Sequence, residues 1–167
     1  MTLPQWIVLA IALLRAGELI HAERNARRLL AMGGHAPGDR HYPAIVGLHA
    51  AWLVTLWWAG RTLLEPDWLL FGFFVVLELA RLWIIVTLGR FWTTRIITVP
   101  GAPLVQSGPY RWMRHPNYLV VALEIPLLLY AFSVPGLAVL FGAANILLLA
   151  HRIQVEEDAL RPRRGVA

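Results

Sequence analysis

Residues Trp68–Leu88 read WLLFGFFVVLELARLWIIVTL, twenty-one residues with two charges, Glu78 and Arg81, and no proline. An α-helix rises about 1.5 Å per residue, so this run covers the roughly 30 Å of hydrocarbon in a bilayer. Four more apolar runs flank it, at Leu3–Ile20, Ala44–Leu64, Asn117–Phe132 and Val134–Ala150. The reading is an all-α integral membrane protein of about five transmembrane helices. Its last two spans, parted only by Ser133 and Pro135 around the break, form a tight helical hairpin. Composition agrees: 58% of the 167 residues are hydrophobic, 15% are charged and mean hydropathy is +0.59, against about 45–50% apolar in soluble domains. That excludes a soluble globular enzyme and a disordered tail, and the absence of cysteine excludes a disulfide scaffold. No basic stretch precedes the first apolar run and no small-residue cleavage site follows it, which argues against a signal peptide. The chain is expected to be one membrane-embedded domain over residues 1–167.

All fifteen basic residues are arginine, and the net charge is +5. In a soluble protein this would point to nucleic acid; here the partner is the bilayer surface, with no nucleic acid. Arg24, Arg27, Arg28 and Arg40 lie between spans one and two, and Arg90, Arg95, Arg111 and Arg114 between spans three and four. Arg152, Arg161, Arg163 and Arg164 follow span five. Only Arg61 falls on the other side, so the N-terminus is expected outside and the long connections and C-terminus in the cytoplasm. Trp6, Trp57, Trp58 and Trp68 then fall at the outer interface, and Tyr42, Trp92, Trp112 and Tyr118 at the inner one.

Charges inside apolar helices are costly and need partners. Arg15 and Glu18, and likewise Glu78 and Arg81, are three apart. The plain reading is two intrahelical pairs that staple the bundle; the sharper one is a polar cavity, with Glu18, His21 and Asn25 continuing that face. His49 reads as a satisfied core histidine. Gly33-Gly34 and Pro37-Gly38 end an extension of the first helix, and Pro100-Gly101 and Pro103 leave residues 89–116 irregular.

The densest chemistry is Gly108-Pro109-Tyr110-Arg111-Trp112-Met113-Arg114-His115-Pro116-Asn117-Tyr118. Pro116 suits the first turn of span four, which puts His115 just ahead of a helix N-terminus. On the same side, residues 151–160 form an exit helix containing Glu156-Glu157-Asp158. Arg152 and Glu156 share a face there, either as an exposed pair or beside a cationic ligand.

Leu88-Gly89-Arg90-Phe91-Trp92-Thr93, Gly108-Pro109-Tyr110, Arg114-His115-Pro116-Asn117-Tyr118 and Glu156-Glu157-Asp158-Ala159-Leu160 together resemble the isoprenylcysteine carboxyl methyltransferase family. The match spans residues 88–160 in order and spacing. Glu18-Leu19, Arg24-Asn25, His41-Tyr42-Pro43 and His49 resemble a smaller bacterial branch associated with O-methylation of phenolic lipids and alkylpyrones. The resemblance implies an enzyme using S-adenosylmethionine, with S-adenosylhomocysteine as product, bound without a Rossmann domain or metal. It assigns cofactor contacts to Ala102, Pro103, Leu104, Val105, Tyr110, His115, Pro116, Asn117, Tyr118 and Glu156, and orientation of the methyl acceptor to Arg152. Nothing is carried over for the stretch from Thr93 to Gly101. Many relatives continue past Glu-Glu-x-x-Leu with a tyrosine-rich tail, so closure of the site is expected to be looser here or supplied otherwise. The acceptor is expected to be an amphiphilic or prenylated molecule bearing a carboxylate, phenol or enol oxygen, reached from the bilayer, with the site facing the cytoplasm of a bacterial inner membrane. The alternatives are a phospholipid or amine N-methyltransferase, a sterol-type reductase, and a non-catalytic lipid-binding or scaffold protein.

Overall fold

Helix α1 (Leu3–Ala31) begins with a reciprocal cap: Gln5 N–H donates to Thr2 Oγ1 and Thr2 N–H donates to Gln5 Oε1, with Pro4 in the first turn. It ends where Gly33 takes φ +84° and Gly34 N–H reaches back to the Leu29 carbonyl, an ending that favours glycine. At 29 residues α1 is about 43 Å long, longer than a bilayer core, as the extension of the first span anticipates. The computed structural model describes residues 1–37 and 41–164. The turn expected at Gly38 and the charge of Arg40 lie outside the described residues, as do the side chains of Arg163 and Arg164.

Helix α2 (Tyr42–Ala59) stops five residues short of the expected Leu64. The start of α1 crosses it there. A Cβ at Gly60 would lie 3.3 Å from Pro4 Cβ, and the Thr2 hydroxyl donates to the Gly60 carbonyl. Helix α3 (Trp68–Leu88) matches its span, capped by Asp67, whose side chain accepts from Leu70 N–H. Helices α4 (Pro116–Ala131) and α5 (Pro135–Arg164) form the expected hairpin. Its turn places Ser133 at φ +58°, with Val134 N–H on the Leu129 carbonyl and Ser133 N–H on that of Tyr130. The fifth span and the exit helix are one unbroken helix.

Among the described residues, four helices rather than five are long and apolar enough to cross a membrane. Helix α4 has 16 residues, about 24 Å, and packs between α3 and α5, with Ile125, Leu128, Leu129 and Ala131 fully buried. Pro126 interrupts its hydrogen bonding, and Trp52 Nε1–H and Asn145 Nδ2–H donate to the nearby Ile125 and Val121 carbonyls at 3.1 and 3.0 Å. Trp52, Phe74, Ile125, Leu128 and Phe132 centre the core, while Leu14, Leu69, Val86 and Leu147 are exposed on the outside. Such an outer surface suits hydrocarbon rather than water. Trp6, Trp58, Trp68 and Trp112 are exposed, in keeping with interfacial roles. Trp92 is not: it is 4% exposed, packed with Ala22, Ile84 and Val120, because the segment after α3 folds back onto α1.

The charges within the helices pair across the bundle. Arg15 Nη1 donates to Glu18 at 2.8 Å as expected, but its Nη2 reaches Glu78 and, at 3.4 Å, Glu124. Arg81 leaves Glu78 alone and takes Glu124 at 2.6 Å and Glu18 at 3.4 Å. The expected Glu78–Arg81 staple is therefore not made. The facing helices supply closer partners, and α4 contributes a fully buried carboxylate, Glu124.

Candidate active site

The chain between α3 and α4 has little regular structure, so its position depends on anchors. Asn25, 2% exposed, donates from Nδ2 to the Gly89 carbonyl at 3.0 Å and the Trp92 carbonyl at 2.9 Å. His35 and Thr98 exchange backbone hydrogen bonds at 3.0 Å. Gly108, at φ +54°, passes so close to α3 that a Cβ would stand 2.7 Å from Thr87 Oγ1, a position only glycine can fill. The connection is thereby folded back over one end of the bundle.

His115 is the N-cap of α4 and Pro116 its first residue, as the sequence anticipates. The His115 ring stacks on Tyr118 at 5.3 Å, and its Nε2 lies 2.7 Å from Glu157 Oε1, so Nε2 carries the donated proton. Arg152 and Glu156 do not pair directly. They meet on one phenol, where the Tyr118 hydroxyl donates to Glu156 Oε2 and accepts from Arg152 Nε–H at 2.8 Å. Arg152 Nη2 donates to the Thr94 carbonyl at 2.6 Å. Burial, with the negative charge of Glu156 second, pushes the Tyr110 phenol well above its ordinary pKa.

These groups wall a cavity of about 610 Å3, within the roughly 300–1,000 Å3 of small-molecule sites. Pro103, Leu104, Val105, Tyr110, His115, Asn117, Tyr118, Arg152 and Glu156 all line it. Ala102 and Pro116 do not: Ala102 N–H is turned to the Val99 carbonyl, and Pro116 is buried at the start of α4. The stretch from Thr93 to Gly101, for which the resemblance implies no contact, does contribute, through Arg95, Ile96 and Ile97. Only the fold brings it there, since no residue type in it marks a ligand. Two wall residues have buried polar atoms without a hydrogen-bond partner, Trp92 Nε1 and Asn117 Oδ1.

A second cavity, of about 290 Å3, lies between the helices. It shares Trp92, Thr93, Asn117, Tyr118 and Arg152 with the first. Its walls are mostly apolar, and His49, expected in the core, lines it instead.

The model of the isoprenylcysteine carboxyl methyltransferase (ICMT) family matches residues 69–162, which takes in all of α3 but its first residue, the folded-back connection, the hairpin and the acidic turn of α5. The chain belongs to the ICMT family. That makes it a membrane methyltransferase. It is 33% identical to the uncharacterized protein YpbQ of Bacillus subtilis (strain 168) over 93% of this chain and 96% of that one. No solved structure matches it.

Proposed function

We propose that the protein transfers a methyl group from S-adenosylmethionine to an oxygen of a lipid-like acceptor. The observation that carries this reading is the junction of the two cavities. A more polar chamber lined by the Glu156 carboxylate and a more apolar chamber within the bundle share Asn117, Tyr118 and Arg152. A charged, water-soluble donor and an amphiphilic acceptor could meet there and nowhere else along their walls.

The residues fit that donor. Glu156 complements its positive charge from the cavity wall, the unpartnered Asn117 Oδ1 accepts an N–H, and aromatic rings of Tyr110, His115 and Tyr118 offer flat apolar surface. When bound, S-adenosylmethionine supplies an electrophilic methyl group on sulfonium sulfur. The protein's own part is to align the acceptor oxygen with it and exclude water. Arg152, 8% exposed and fixed by Tyr118 and Thr94, orients a carboxylate, or lowers the pKa of a phenol or enol. A guanidinium beside a basic acceptor is unfavourable, so the arginine favours oxygen over amine nitrogen. The arginine distribution supports a site on the cytoplasmic side of the membrane; we further propose that this is a bacterial inner membrane and that residues 1–167 act as a single catalytic domain.

Calorimetric titration of purified protein with S-adenosylhomocysteine tests the reading. Micromolar binding that Glu156→Ala weakens by about 10- to 150-fold is expected, since hydrogen bonds to charged groups contribute about 1.5–3 kcal/mol. No binding, or equal binding by both proteins, would overturn the assignment.

A further inference from the structure

Arg152 and Glu156 lie four apart on one face of α5, a spacing at which opposite charges meet. Elsewhere in the chain such neighbours do close: Arg15–Glu18 at 2.8 Å, and Glu23–Arg27 and Asp158–Arg161 at 2.9 Å. Glu78 and Arg81 stay apart because each takes an opposite charge on another helix. Arg152 and Glu156 stay apart for a different reason. The group between them is neutral, the Tyr118 hydroxyl. Their mutual attraction is not weak, since Arg152 is 8% exposed and charges in such surroundings act on each other more strongly than in water.

A phenol can hold both charges because it has a hydrogen to give and lone pairs that receive one. Tyr118 gives its hydrogen to Glu156 Oε2 and receives Arg152 Nε–H at 2.8 Å. Other contacts fix where it stands. Tyr118 lies in the first turn of α4, its N–H donates to the His115 carbonyl at 3.1 Å, and its ring stacks on the His115 ring. Glu157 holds that imidazole in turn at 2.7 Å. On its other side Arg152 is drawn from Nη2 to the Thr94 carbonyl at 2.6 Å. The hydroxyl is thus a wedge seated on α4 and driven between two charges of α5.

We propose that Tyr118 is a positioning residue whose hydroxyl keeps Arg152 and Glu156 from pairing, so that each stays open to its own ligand. This rests on the methyl-transfer reading, in which Glu156 faces the donor and Arg152 the acceptor oxygen, and Tyr118 lines both cavities. Without the hydroxyl, guanidinium and carboxylate close on each other along α5, and the donor must break that pair before it binds. Removing the arginine as well then frees the glutamate again.

The test is calorimetric titration of S-adenosylhomocysteine into the full chain in lipid nanodiscs, for wild type, Tyr118→Phe, Arg152→Met and the double variant. Tyr118→Phe keeps the ring and its stacking and should weaken binding by about tenfold or more. Arg152→Met should stay within about threefold of wild type, because Tyr118 still holds Glu156. The double variant should recover most of the loss, which damage to packing alone would not allow. Wild-type affinity in Tyr118→Phe, no recovery in the double variant, or a loss in Arg152→Met as large as in Tyr118→Phe would overturn the proposal and leave methyl transfer standing. No binding by wild type overturns methyl transfer and the proposal with it. Tyr118→Leu, which also lacks the hydroxyl, replaces Tyr118→Phe where that variant does not fold, with the same recovery expected.

Discussion

The buried cluster of Arg15, Glu18, Glu78, Arg81 and Glu124 and the site group of Arg152, Glu156 and Glu157 use the same two side-chain types. They differ in what holds each charge. In the cluster the guanidinium Nη atoms go to carboxylates contributed by α1, α3 and α4, so charge is cancelled where it lies. At the site Arg152 is held by a phenol and a backbone carbonyl, and Glu156 by that same phenol. Arg152 and Glu156 are oriented there without being spent on one another, while Glu157 is held by His115 and, at 3.8 Å, by Arg114. The first arrangement ties helices together, and the second leaves a field for a charged ligand.

The difference can be broken from the cluster side with the largest effect. Arg81→Met leaves Glu124, fully buried, with only the longer contact to Arg15. Removing one partner of a buried pair costs about 3–5 kcal/mol, so a large fall in thermal unfolding temperature in detergent is expected. A fall of less than a degree would mean that the cluster is not structural. Glu156→Gln is the counterpart at the site. It keeps the shape and should leave unfolding unchanged while S-adenosylhomocysteine binding drops at least tenfold by calorimetry. A matching loss of stability would make Glu156 a second staple. The smallest effect is sought at Tyr110. Its phenol ionises more readily unfolded than folded, so its contribution is complete below the unfolded value near pH 10 and is lost as pH rises toward the folded one. Stability should fall by about 1 kcal/mol by pH 11, and Tyr110→Phe should flatten that slope in pH-dependent unfolding.

Much of this was legible in the sequence. The sequence marks the α3 span to the residue, because its apolar run and its helix coincide. The ordered motifs from Leu88 to Leu160 named nine residues that line one cavity. What escaped was partner choice. Spacing of three within a helix suggests an intrahelical pair, but Glu78 takes Arg15 across 63 positions, and only helix packing sets such a contact. Glu124 did carry a signal, as a lone acid in an apolar run. The early end of α2 depends on where α1 crosses it. The burial of Trp92 depends on Asn25 drawing the connection onto α1, and neither can be read from local composition.

Helix α5 runs from the hairpin turn to the acidic group without a break. Asn145, Arg152 and Glu156 are therefore rungs of one stiff ladder, with Asn145 pinned to α4 at its lower end. One added residue between them would swing the upper rungs through about 100°. An enzyme built this way works at a single fixed height, and for the acceptor proposed above, a lipid whose oxygen floats too high or too deep in the leaflet would pass by untouched.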